Sequence, residues 1–248
     1  MAEQAQENTS LSTAVADVAS GVVLALEGEH GSYALSELLV HDEAVALAVI
    51  RVLGADVLAP YAGGGANSGA SAGGRAGGAA SVAGGGADER LVRAALAAYP
   101  PGADASEVSV WTYGGLAEAA RAYLPGGSDG WPGLPDGGSR WLAEAPWPKL
   151  AHRASQLAAL SLPGLAPALT AGLAARTEDL ARGFVRAVRR RDWLQSAGVG
   201  RWLAGLPGVP DTLGLDAGMV YVRRMSGGDP RVALHTAAAR RFHGRGPR

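Results

Sequence analysis

The chain has 248 residues, 48% of them hydrophobic, and a net charge of −1, which supplies a buried core and excludes an intrinsically disordered chain. It contains no Cys, which excludes disulfides, thiolate metal sites and cysteine nucleophiles. Lys149 is the only lysine beside 21 arginines, and Ile50 is the only isoleucine. That pattern is the coding bias of a GC-rich bacterial genome, so the choice of Arg does not itself argue for guanidinium chemistry.

The first ten residues, MAEQAQENTS, are polar and carry no basic segment, so no secretory signal is expected and a cytoplasmic location follows as the default. A helix is expected from about Ser10, with Leu11, Val15, Val18 and Val22 at helical spacing. Ser36 reads as the N-cap of a second helix ending at Gly54. Leu35, Leu38, Leu39, Val45, Val49, Val52 and Leu53 form one stripe of it, while Val40, Leu47 and Ile50 lie on its other side. A helix apolar nearly all round is buried rather than half solvated. Residues 1–61 form an acidic two-helix head, with nine Asp or Glu against Arg51 alone. A unit of that size falls below the ~70–80 residues at which one core supplies useful stability. The head is therefore expected to dock on the body, on a second copy or on a partner.

Residues 62–87 hold 11 Gly and 9 Ala in 26 positions. No helical or sheet face can be built from them, and a flexible linker of this length spans about 28 Å, enough for the head to fold back. The body, residues 88–248, carries 20 basic and 14 acidic residues. It opens with a short helix capped by Asp88 and stopped by Pro100 and Pro101. Glu107–Tyr113 alternates β-branched and aromatic residues and reads as a strand, with Gly114 and Gly115 turning the chain into a helix over 116–124. Gly and Pro density excludes regular structure over 125–138. Helices are then expected near Ser139, from Pro148, and over 166–192, followed by short pieces at Trp202–Leu203 and 213–225 and a last helix from Pro230. The uncharged run 154–175 is long enough to span a bilayer, but Pro163 and Pro167 at its centre would break a membrane helix. The fold class expected is mainly α, a multi-helix domain with at most one minor strand element and a disordered Gly/Ala-rich insertion loop.

Few motifs carry chemistry. Gly69-Ala-Ser71-Ala-Gly73 matches the nucleophile-elbow pattern, but it lies in low-complexity sequence without the strand and helix that expose such a serine. There is no Gly-x-Gly-x-x-Gly, Walker-type or His-Glu-x-x-His signature, and the sequence names no cofactor and no metal site. Of the five histidines, His41 stands four residues after Glu37 on the expected second helix. That spacing would place a carboxylate and an imidazole on one face, as an acid/base pair or part of a metal site between head and body. The simpler interpretation is an exposed polar edge.

The main positive feature is a run of arginines, Arg182, Arg186, Arg189, Arg190 and Arg191. Their helical spacing makes a basic stripe suited to an anionic partner. Residues 176–248 hold 14 Arg against six acids. A protein surface, nucleic-acid phosphate and anionic lipid all fit such a stripe. No nucleic-acid-binding motif is present, and aromatics are not interleaved as a stacking surface requires. The sequence is read as a non-enzymatic interaction or assembly protein, through its basic C-terminal surface, with a protein partner or self-association. The alternative is an enzyme using Glu37 and His41.

Overall fold

The structure, a computed structural model, describes residues 2–28, 33–39, 42–62, 82–124, 130–131 and 140–242. These are helical and contain no strand. Residues 63–81 of the Gly/Ala segment lie outside the described residues, as does most of 125–138.

The head comprises α1 (Ala2–Glu27), the single turn α2 (Leu35–Leu38), α3 (Glu43–Leu53), a 3-10 stretch (Gly54–Leu58) and α4 (Ala59–Ala62). The expected helix from Ser36 to Gly54 is thus two helices. Leu39, at φ −95° and ψ 49°, closes α2, and Asp42 precedes α3 at φ −52° and ψ 140°. Val49, Ile50 and Leu53 of α3 are buried, which agrees with its apolar pattern. Thr9–Glu27 and Glu43–Ala62 are each long and apolar enough to cross a bilayer, yet 44% and 56% of these windows are buried within the protein.

Next come α5 (Val82–Ala98) and α6 (Glu107–Tyr123). The expected strand at 107–113 is the first two turns of α6. Ser106 caps that helix by accepting a hydrogen bond from Ser109 N at 3.2 Å. Trp111, Gly115, Leu116 and Ala119 fall on its buried face, so packing at a 3.6-residue period overrides local β propensity. Gly115 is not a turn residue. A Cβ there would lie 2.0 Å from Leu160 Cδ2, so the missing side chain is what lets α6 approach the 3-10 turn at Ala158–Ser161.

The rest of the body is α7 (Arg140–Glu144), α8 (Trp147–Gln156), α9 (Pro167–Ala174), α10 (Thr177–Arg189), α11 (Trp193–Gly205), α12 (Leu215–Met225) and α13 (Pro230–Phe242). The expected helix over 166–192 is interrupted at Ala175 and Arg176. There the Arg176 guanidinium leaves the helix line to donate to the carbonyls of Leu142, Ala143 and Ala145 at 2.9–3.1 Å, satisfying the end of α7.

Helix α11 is the centre of the body. Residues 196–203 are all buried, and α8, α10, α12 and α13 surround them. Its Gly198 and Gly200 serve close packing. A Cβ at Gly198 would meet Ser155 O at 2.8 Å, and one at Gly200 would meet Met219 Sδ at 2.2 Å. Trp202 donates its indole N–H to Ala154 O at 2.8 Å. The head joins this arrangement as α1 packs along α13, α3 against α5, and Gly54–Leu58 against α6. One hydrophobic cluster runs from Ala14 of α1 to Phe242 of α13.

Candidate functional site

Helix α10 divides sharply into two faces. Leu180, Phe184 and Ala187 are buried, while Arg182, Arg186, Arg189 and Arg190 are exposed. Gly183 brings α10 close to α8, because a Cβ there would sit 2.3 Å from Ala151 Cβ. The four arginines line an open groove of about 940 Å³ together with Glu178, Trp147, Val185 and Leu213. Arg182 stands 3.6 Å from both Glu178 and Asp179 and remains 61% exposed, a geometry too loose and too wet to neutralise it. The Arg186 guanidinium lies 5.8 Å from the centre of the Trp147 ring. Among the described residues, Arg186, Arg189 and Arg190 make no ion pair.

Arg191 belongs to the stripe by sequence but not to the groove. Its backbone is left-handed, at φ 58°. Arg191 N–H donates to Val188 O and Asp192 N–H to Ala187 O, both at 3.0 Å. These two bonds are the Schellman closure of a helix C-terminus, at a position where Gly is usual.

The site expected of Glu37 and His41 lies partly outside the described residues. Glu37 is exposed on α2, which ends at Leu38. His41 lies outside the described residues. His30 and His243 also lie outside the described residues. No group of three or more His, Asp or Glu suited to a metal ion occurs among the described residues.

The junction of head and body holds a polar cluster of a different kind. Arg201 of α11 and Asp56 of the 54–58 turn are 2.6 Å apart, with side chains 2% and 3% exposed. His235 of α13 completes the cluster. Its Nδ1 is 3.2 Å from Arg201 Nη1 and 3.8 Å from Asp56 Oδ2. A guanidinium can only donate, so Nδ1 accepts and the ring proton of the neutral imidazole resides on Nε2. Burial is the main cause that lowers the His235 pKa to about 4; the Asp56 charge opposes this and the Arg201 charge adds to it. At neutral pH the ring is therefore an uncharged hydrogen-bond donor at Nε2.

Both charges announce themselves in sequence by isolation. Asp56 is the only charged residue between Arg51 and Arg75, and Arg201 the only one between Asp192 and Asp211. A lone charge in an apolar stretch is tolerated inside a fold only when paired, and two such charges of opposite sign suggest each other.

A second buried carboxylate ties α5 to the head. Asp88, expected to cap its own helix, lies inside α5, which begins six residues earlier at Val82. Its Oδ2 and Oδ1 accept from Leu35 N at 2.9 Å and Ser36 N at 2.8 Å, and it also accepts from the Tyr61 hydroxyl. The first turn of α2 is thus capped from another helix, not by Ser36. Burial, then the hydrogen bond to Asp88, push the Tyr61 hydroxyl well above the usual tyrosine range.

No protein-family model matches the chain, and comparison with curated proteins and with solved structures finds none that matches.

Proposed function

We propose that the protein is a non-enzymatic interaction protein whose α10 groove receives an acidic segment of a protein partner. The observation that carries this reading is the convergence of Arg182, Arg186, Arg189 and Arg190 on one open groove, three of them without an ion pair among the described residues. Four cations held together repel one another and gain from a shared counter-charge. The groove between them is lined by Val185 and Leu213 as well, so its chemistry complements a peptide that alternates acidic and apolar side chains. A nucleic acid would need more stacking surface, since Trp147 is the only aromatic residue among the described residues that line the groove. A lipid surface would need apolar groups that project from the protein, whereas these are set among the arginines.

The test is fluorescence anisotropy of a labelled Glu/Leu-alternating peptide with the full chain and with the variant Arg182→Gln, Arg186→Gln, Arg189→Gln, Arg190→Gln. Gln keeps helix propensity close to that of Arg, so the fold is retained. The expected result is binding that falls steeply with salt and is lost in the variant. Equal binding by both proteins, or a preference for a DNA oligonucleotide or for anionic vesicles over the peptide, would overturn the reading.

A further inference from the structure

We propose that the cavity between the head turn Gly54–Leu58 and helices α8, α11 and α13 binds a small carboxylate with an apolar body. The cavity measures about 300 Å³, room for about ten water-sized groups at roughly 30 Å³ each. It shares no lining residue with the arginine groove, so it stands independently of the groove.

Its walls have two characters. The apolar part is Leu53, Leu157, Leu160 and Leu234, all at least nine-tenths buried. The polar part combines Asp56 and His235 with Arg231, which is exposed. Most polar groups there are already engaged. Asp56 faces Arg201 at 2.6 Å, and Asp192, a further lining carboxylate, accepts from Gln195 N at 3.2 Å as the cap of α11.

Besides the outer oxygen of Asp192 and the Asp56 carboxylate, which the Arg201 charge offsets, what is left over includes one donor and one cation. His235 has given Nδ1 to Arg201 and therefore presents Nε2–H as a donor, and Nε2 has no protein partner among the described residues. Arg231 stands four residues before His235 on α13, on the same face, and its charge reaches the imidazole strongly enough to lower its pKa. A donor fixed in a buried wall and a cation one turn away complement an oxyanion. A carboxylate placed there receives one hydrogen bond from Nε2 and a charge-assisted one from Arg231, with its hydrocarbon portion against the leucines. Nδ1 is occupied, so the imidazole serves to bind and orient and not to take a proton.

The experiment uses hexanoate as probe and 1-hexanol as its uncharged counterpart, with the full chain labelled by ¹⁵N-histidine. Calorimetry gives the affinities, and long-range ¹H–¹⁵N spectra give the state of His235. The free protein should show the Nε2–H tautomer. Hexanoate should shift that nitrogen saturably and bind about ten-fold more tightly than hexanol, as expected of a charge-assisted hydrogen bond. Arg231→Gln, at an exposed position, should weaken hexanoate by a similar about ten-fold factor and leave hexanol unchanged. Equal affinity for hexanol would reduce the cavity to an apolar void. An unmoved His235 signal at millimolar hexanoate, or undiminished binding by Arg231→Gln, would overturn the proposal.

Discussion

Replacing Arg201 by Met removes the cation from the junction while keeping most of the side-chain length that α11 packs around. Two unit charges 2.6 Å apart attract by about 6 kcal/mol at an effective dielectric of ~20, and much of that offsets the desolvation of both groups. The single variant loses the attraction and keeps the buried Asp56 carboxylate, a situation that typically costs about 3–5 kcal/mol. The double variant Arg201→Met, Asp56→Ala removes both charges and should recover a large part of the loss. Urea denaturation of the four proteins gives the coupling energy directly. Acidity provides a second signature. Burial still lowers the His235 pKa, but with Arg201 gone one of the two nearby cations that add to this is removed, while Asp56, which raises it, remains 3.8 Å away. His235 then protonates more readily and supplies a replacement cation, so the deficit of Arg201→Met should shrink as the pH falls from about 6.5 toward about 4. The wild type behaves oppositely. Its His235 pKa is depressed from 6.5 to about 4, so the unfolded chain binds the proton first and stability falls as the pH drops through that window. A loss below about 1 kcal/mol for Arg201→Met, the value of an exposed pair, or a deficit that does not change with pH, would refute the reasoning.

Gly183→Ala should destabilise despite the higher helix propensity of Ala, because the new Cβ would lie 2.3 Å from Ala151 Cβ and neither group can rotate away. The overpacking is expected to exceed the ~1 kcal/mol propensity gain, whereas Gly205→Ala, with nothing within 4 Å, should be neutral or slightly stabilising in the same thermal melt. Asp88→Ala leaves Leu35 N, Ser36 N and the Tyr61 hydroxyl without their shared acceptor. It should lower stability by about 3 kcal/mol and release the Leu35 and Ser36 amides to hydrogen exchange; continued protection of both would show that the cap is dispensable.

The helical class was legible because the apolar spacing of α1, α3 and α10 survives any local ambiguity. The errors come from residues whose role depends on a neighbour distant in sequence. Gly115 reads as a turn residue until Leu160 is placed against it, and the close-packing roles of Gly198 and Gly200 emerge only with Ser155 and Met219 in place. Glu107–Tyr113 has strand composition, and only the burial of Trp111 and Leu116 on one side fixes the helical period. Asp88 does resemble a helix cap, but the helix that it caps is α2, about fifty residues earlier. The arginine face of α10 was legible from spacing alone, since consecutive helical turns need no tertiary information. Arg191 was not separable from it, because its place in the helix-closing turn depends on backbone conformation. The junction cluster joins positions 56, 201 and 235, and no local window contains two of them.

The most direct measurement of the central claim is a map of where an acidic peptide sits. A benzophenone-bearing Glu/Leu-alternating peptide, irradiated with the full chain and followed by peptide mapping, reports the residues it touches. The groove account requires crosslinks concentrated on α10 and on Trp147 and Leu213, suppressed by salt and absent from the four-arginine variant. Crosslinks concentrated instead on α12, where Val220, Tyr221 and Met225 are exposed, and equal in wild type and variant, would contradict it.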